Sequence, residues 1–281
     1  LNSYTNQDLQ ILIATMNRSD LSFLEAMFQC KVSEIKYHLI VVNQSKTASL
    51  SSEYDNIQVI NDHSFGLSRS RNIAIEKAST AICWILDDDC ILMDNAVDKV
   101  IAAHNHCEHE IITFQTAIRK DLLFRNYAVV EETLSRKQVE NVLSPEITFK
   151  RESIHESSIQ FDTRFGLGAQ FGDSENYVFL TDTIDKNLRV QFVPQTIVIH
   201  DAHTSSDEPA NNRVIYARGA LAARENLWTA QMKQFKYVFF LWRKGYVKGW
   251  RNLYDKYMVF NHGMNDYLTG FEGHRIGHPD L

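Results

Sequence analysis

Cysteine is scarce in this chain: Cys30, Cys83, Cys90 and Cys107 are the whole complement, and no two form a Cys-x-x-Cys pair. That pattern argues against a disulfide framework and favours reduced thiols in a cytoplasmic setting. Basic charge is also short, with 29 Lys and Arg against 35 Asp and Glu and a formal net charge of −6. A nucleic-acid binder would show a basic footprint, so no nucleic-acid partner is expected. No uninterrupted apolar run approaches the roughly 20 residues that cross a bilayer. The first residues are polar, and no secretory leader is expected from them. Repeats, coiled-coil heptads, low-complexity tracts and a Walker-type phosphate loop are missing as well. What is present is an ordinary globular composition, 44% hydrophobic, in 281 residues. That length suits one α/β domain with an appendage.

The most informative residues are Asp87, Asp88 and Asp89. They follow Ala81-Ile82-Cys83-Trp84-Ile85-Leu86, a short apolar run that reads as a buried strand. Three like charges at a strand end repel, and burying them unpaired would cost several kcal/mol. They are tolerable in an exposed acidic turn, or around a hard divalent cation such as Mg²⁺ or Mn²⁺. Ligands of open α/β sheets collect at the carboxyl ends of strands, which favours the second reading.

Upstream, Gly66-Leu67-Ser68-Arg69-Ser70-Arg71-Asn72 opens a helical segment. Gly66 permits an unusual turn, and a helix start offers unpaired N–H groups to an anion. Arg69 and Arg71 add positive charge, although Arg69 reads equally well as part of a solvated helix face. A basic helix entry followed by a strand ending in carboxylates suits a phosphate-bearing ligand held through a metal.

Strands expected at 9–14, 38–43, 57–60, 81–87 and 110–114 alternate with helices at 20–30, 67–79 and 94–106. This alternation predicts a mostly parallel sheet flanked by helices. Residues 115–145 read as an irregular insertion, which the resemblance below would place on the acceptor side, and 146–200 return to the sheet. Helical patterns dominate from Pro209. The expected division is an α/β domain over 1–205, which the resemblance below would make the catalytic one, and a C-terminal helical appendage over 206–281.

Four segments then fall into one order. A strand ends in Thr15-Met16-Asn17-Arg18, another in Asn43-Gln44-Ser45, and these precede Gly66 to Asn72 and Leu86-Asp87-Asp88-Asp89. In that order they resemble the nucleotide-sugar-binding half of GT-A glycosyltransferases of the family-2 type. Downstream, Phe161 to Gly166, Gly172-Asp173-Ser174-Glu175-Asn176, Val190 to Pro194 and Ile197 to His200 extend the likeness. It spans roughly residues 8–202, with a weaker echo at Asn261 to Gly270.

The resemblance implies a GT-A α/β fold with a Rossmann-like half and a metal-dependent, inverting transfer from a nucleoside diphosphate sugar. Uridine is favoured as the base because it is common in the family. Asp89 would ligate Mn²⁺ or Mg²⁺, and His200 would close the metal shell, although a strand-end His is as often structural. His203 is a reserve ligand. Thr15, Asn17, Arg18, Asn43, Ser45, Ser68, Arg71, Asn72, Asp87 and Asp88 would line the nucleotide-sugar pocket. Where the family carries an acidic pair at the general base, this chain has Glu175-Asn176 with Asp173 nearby. Glu175 is expected to be the base, with Asp173 in reserve. The acceptor is expected to be a hydroxyl of a glycan or lipid-linked glycan, in polysaccharide biosynthesis. A haloacid-dehalogenase-like phosphohydrolase and a catalytically silent sugar-binding protein remain as alternatives.

Two further features lie outside that set. His104, His106, Cys107 and His109 lack spaced partners for a zinc site and read as a solvated helix end. From Gln231 to Phe260, seven Lys and Arg stand against Asp255 alone, interleaved with aromatics. This stretch fits peripheral membrane contact, packing on the catalytic domain, or a homo-oligomer interface. Gly245 and Gly249 should interrupt it.

Overall fold

The computed structural model describes residues 3–200 and 208–271. The chain forms two compact units, one of Leu1–Phe65, Arg69–Phe161 and Asn176–Ala202, the other of Gly66–Ser68, Asp162–Glu175 and His203–Leu281.

The first unit is a mixed α/β layer structure. Its strands are β1 (Leu9–Met16), β2 (His38–Gln44), β3 (Ile57–Asp62), β4 (Ile82–Asp87), β5 (Ile91–Leu92), β6 (Ile111–Arg119), β7 (Leu122–Leu123), β8 (Glu132–Thr133), β9 (Ile147–Lys150) and β10 (Val190–Ile199). Its helices are α1 (Phe23–Phe28), α2 (Leu67–Lys77), α3 (Ala96–His106), α4 (Arg151–Glu156) and α5 (Glu175–Asp185). The first residues of α2 and of α5 are counted with the second unit. The strand order is β3-β2-β1-β4-β9-β6-β10-β5. The long strands β3, β2, β1 and β4 run parallel, as do β6 and β10, while the short β5, β7, β8 and β9 pair antiparallel.

Alternation along the strands builds a core on each face of the sheet. Ile11, Ile13, Leu39, Val41, Trp84 and Leu86 pack with Leu24 of α1 and Val97 and Val100 of α3. Leu12, Ile40, Val42, Cys83 and Ile85 pack on the other face with Ala74 of α2, Ile154 of α4 and Phe179 of α5. Trp84 is fully buried, and its indole N–H donates to the Pro145 carbonyl at 2.8 Å. It is a core residue, unavailable for base stacking.

His104 departs from the expected solvated helix end. It is buried, its Nε2 lies 2.8 Å from the Thr148 hydroxyl, and burial lowers its pKa to about 3. The helix register of α3 turns this residue onto the sheet, so it is a neutral core histidine. Among the described residues it joins no metal-ligand group.

The second unit contains α6 (Asn212–Glu225), α7 (Leu227–Arg243) and α8 (Trp250–Thr269). Helices α6 and α8 touch through glycines: a Cβ on Gly219 would strike the Phe260 carbonyl, and one on Gly263 the Tyr216 carbonyl. Tyr216 donates to Asp266 at 2.6 Å across the same contact. Gly245 and Gly249 take positive φ of 75° and 81° in the connection between α7 and α8, as expected.

Candidate active site

The carboxyl ends of β1, β2 and β4 lie side by side, because β1 pairs in parallel with both β2 and β4. Asn17 leaves β1 with a left-handed φ of 57°. The side chain of fully buried Asn43 then brackets the next residue, accepting from the Arg18 amide at 3.1 Å and donating to its carbonyl at 3.0 Å. Asn43 also donates to Asn61 on β3. With its main chain fixed, Arg18 reaches Asp88, donating to Oδ2 from Nε at 2.9 Å and Nη2 at 2.7 Å. The Thr15 hydroxyl donates to the same oxygen at 2.5 Å.

Asp87 is held from two sides. Arg71 Nη2 donates to Oδ1 at 3.0 Å, and the Ser144 hydroxyl donates to Oδ2 at 2.7 Å. Arg71 is 2% exposed and extends Nη1 to the Asn176 amide oxygen at 3.0 Å. Its guanidinium also lies over the Phe161 ring.

Asp89 faces His200, with Nε2 3.3 Å from Oδ1. The sheet register produces this pair: Ile199 of β10 stands opposite Ile91 of β5, which returns residue 200 to the turn after β4. The His200 hydrogen bond holds the Asp89 carboxyl below its ordinary range. Each of the three carboxylates thus has its own partner. The repulsion that a cation was expected to relieve is answered at Asp87 and Asp88 by Arg71 and Arg18, while Asp89 has the His200 hydrogen bond. The case for a metal therefore rests on Asp89 and His200.

Asp89, Cys90 and His200 are the group of three potential ligands found among the described residues, with ligand atoms within 4.8 Å of one another. Cys90 is fully buried, and desolvation, with Asp87 and Asp89 beside it, pushes its thiol well up. Without a metal it is a neutral thiol, a weaker donor than the carboxylate and the imidazole beside it. The usable donors are one carboxylate oxygen and one imidazole nitrogen. That set fits Mn²⁺, which accepts both, better than Mg²⁺, which prefers oxygen throughout. His203 lies outside the described residues.

Other expected pocket residues have their polar atoms engaged with the protein. Buried Ser45 accepts from the Ala48 amide at 2.9 Å. Asn72 brackets Phe161, donating to its carbonyl and accepting from its amide, both at 2.8 Å. Arg69 pairs with Asp62 at 2.8 Å.

Within the second unit, fully buried Ser68 donates to the Phe165 carbonyl at 2.6 Å. Gly166 follows with φ 103°, and a Cβ there would meet Ser68 Oγ at 3.0 Å and Glu175 Cβ at 3.2 Å. Only glycine lets this loop pass between them. Asp173 is 8% exposed, beside a Gly172 carbonyl that accepts from Arg213. Ser174 turns the chain with φ 73°, and half-buried Glu175 opens α5.

The sequence profile of glycosyl transferase family 2 matches residues 10–156, more than half of the chain. The chain belongs to that family. That membership removes the phosphohydrolase alternative. The matched residues include every position from Thr15 to Asp89 expected on the donor side, whereas Asp173, Glu175 and His200 lie beyond them. Solved structures of S. aureus TarS 1–349 share the fold. The complex with UDP aligns at 13% identity and a TM-score of 0.52, over 83% of this chain and 70% of that one. The complex with UDP-GlcNAc aligns at 14% and 0.52, over 83% and 71%. Another TarS 1–349 structure aligns at 11% and 0.50, and there the chain spans 64% of the length of its match. No curated protein sequence matches the chain.

Several residues at the site escaped the sequence reading. Ser144 lies in the segment read as an irregular insertion, and nothing local marks it as a partner of Asp87. Glu146 is fully buried with Arg125 at 3.0 and 2.6 Å and the Tyr127 hydroxyl at 2.5 Å. Burial pushes the Glu146 carboxyl up against the pull of Arg125. This cluster anchors the segment to the sheet, and the wide spacing of its members hides it in the sequence.

Proposed function

We propose that the protein transfers a sugar from a uridine diphosphate sugar, with inversion and with a divalent cation, to a hydroxyl of a glycan or lipid-linked glycan. The Asp89–His200 pair after β4 carries this reading. The UDP and UDP-GlcNAc complexes of TarS on the same fold support the donor class.

In this reading Asp89 and His200 hold Mn²⁺, which when bound stabilises charge on the departing diphosphate as a Lewis acid. Arg18 fixes Asp88 toward the donor sugar, and Arg71 with Ser144 fixes Asp87 toward the ribose. Asn43, Ser45, Ser68 and Asn72 shape the loops that carry these groups. Glu175 takes the proton of the acceptor hydroxyl as that oxygen bonds to the anomeric carbon. The bond from that carbon to the diphosphate breaks, and the nucleoside diphosphate leaves. Glu175 is preferred over Asp173 because Asp173 is more buried.

Calorimetric titration with UDP, in Mn²⁺ and in chelator, tests the donor side. Asp89→Ala is expected to abolish the Mn²⁺-dependent part of binding with an unchanged circular dichroism spectrum. Wild-type affinity of this variant in Mn²⁺ would sink the assignment. Release of UDP from a panel of UDP sugars, with and without acceptor glycans, tests turnover.

A further inference from the structure

Helix α7 has two apolar faces. One packs inward through Ala230, Gln234 and Leu241, with Tyr237 and Val238 beside them. The other carries Trp228, Met232, Phe235, Phe239 and Trp242, at positions i, i+4, i+7, i+11 and i+14, and is exposed along its length. Trp228 is 94% exposed and Phe235 65%. A helix that shows apolar residues to water on the face opposite its core lacks the usual solvated side. Beyond the helix end, Tyr246, Trp250 and Tyr254 are exposed as well.

Bases surround this stripe. Lys236, Arg243, Lys244, Lys248 and Arg251 are all exposed and make no ion pair among the described residues. Local positive charge on a chain of net charge −6 needs a local reason. Exposed Trp, Tyr and Phe among lysines and arginines match the interface of an anionic bilayer, where rings enter the headgroup boundary and bases meet lipid phosphates. No helix among the described residues is long and apolar enough to cross a membrane, so the contact lies in the interface plane.

We propose that the exposed face of α7, with the connection to α8, docks the protein peripherally on anionic lipid bilayers. This inference stands apart from the transferase reading.

The tryptophans provide the readout. Trp228, Trp242 and Trp250 lie in the patch, and the fourth, Trp84, is fully buried in the first unit. The full chain is mixed with phosphatidylglycerol–phosphatidylcholine vesicles and with phosphatidylcholine vesicles, at low and at physiological salt. Cosedimentation and a blue shift of tryptophan emission are expected with the anionic vesicles at low salt, both weakening as salt screens the charges. Lys236→Glu with Arg243→Glu is expected to lower partitioning about tenfold or more. Phe235→Ser with Phe239→Ser is expected to lower it while leaving the circular dichroism spectrum unchanged. No cosedimentation at low salt overturns the proposal, as does equal binding to neutral vesicles or binding untouched by both double variants. Concentration-dependent dimerisation that both variants abolish, without vesicle binding, assigns the face to a second copy of the chain and overturns it too.

Discussion

Arg71 and Asn176 are joined by a 3.0 Å hydrogen bond from the guanidinium to the amide oxygen. Asn176 stands where the family resemblance places an acid. A neutral acceptor there leaves the charge of Arg71 to Asp87, whose carboxylate it meets through its other nitrogen. A second carboxylate would divide that charge. The departure from the family pattern therefore has a structural role, and it moves the search for a base to Glu175 and Asp173.

Removing Arg71 should be felt in stability before activity. Arg71→Met strips the buried partner from Asp87 and from the Asn176 oxygen, and breaking such a pair typically costs about 3 kcal/mol or more. Partial water contact of Asp87, 25% exposed, places the expected loss at the lower end. Urea unfolding measures it. A midpoint equal to wild type would show that the pair contributes nothing.

Glu175→Gln should reduce turnover about a hundredfold or more while leaving UDP affinity nearly unchanged, the signature of a group acting in the transition state. Asp173→Asn should retain most activity. Initial rates of UDP release with saturating donor decide between them. An inactive Asp173→Asn beside an active Glu175→Gln reverses the assignment.

The thiols offer a test of burial. Desolvation raises Cys83 to about 12, and Cys90 rises well above its ordinary value for the same first reason. A raised pKa keeps the unreactive thiol form across neutral pH. Native protein treated with iodoacetamide at pH 8 should carry label on partly exposed Cys30 and Cys107 and almost none on Cys83 or Cys90, as peptide mass spectrometry would show. Early labelling of Cys90 would place it in an open site and revive it as a metal ligand.

Gly219→Ala should destabilise the second unit. The added Cβ meets the Phe260 carbonyl, so α6 and α8 must separate, at a cost of about 1–3 kcal/mol for overpacking. Thermal unfolding followed at 222 nm should show the melting point fall. An unchanged melting point would mean that the helices are not packed this closely.

Much of this protein could be read along the chain. The apolar runs of β1, β2 and β4 marked strands buried on both faces, and the run before Asp87 placed the carboxylates at a strand end. These follow from local geometry, since neighbouring residues of a strand must point to opposite faces. The ordered segments from Thr15 to Asp89 likewise carried the family. Partnership was decided only in three dimensions. Arg18 lies 70 residues from Asp88, and nothing in its neighbourhood selects that carboxylate over the next. His200 reaches Asp89 through the register of β10 on β5, which no local pattern specifies. The same holds for α7. Its residues alone show two apolar stripes, but burial is a property of what packs alongside, and only the fold decided which stripe meets the core and which meets water.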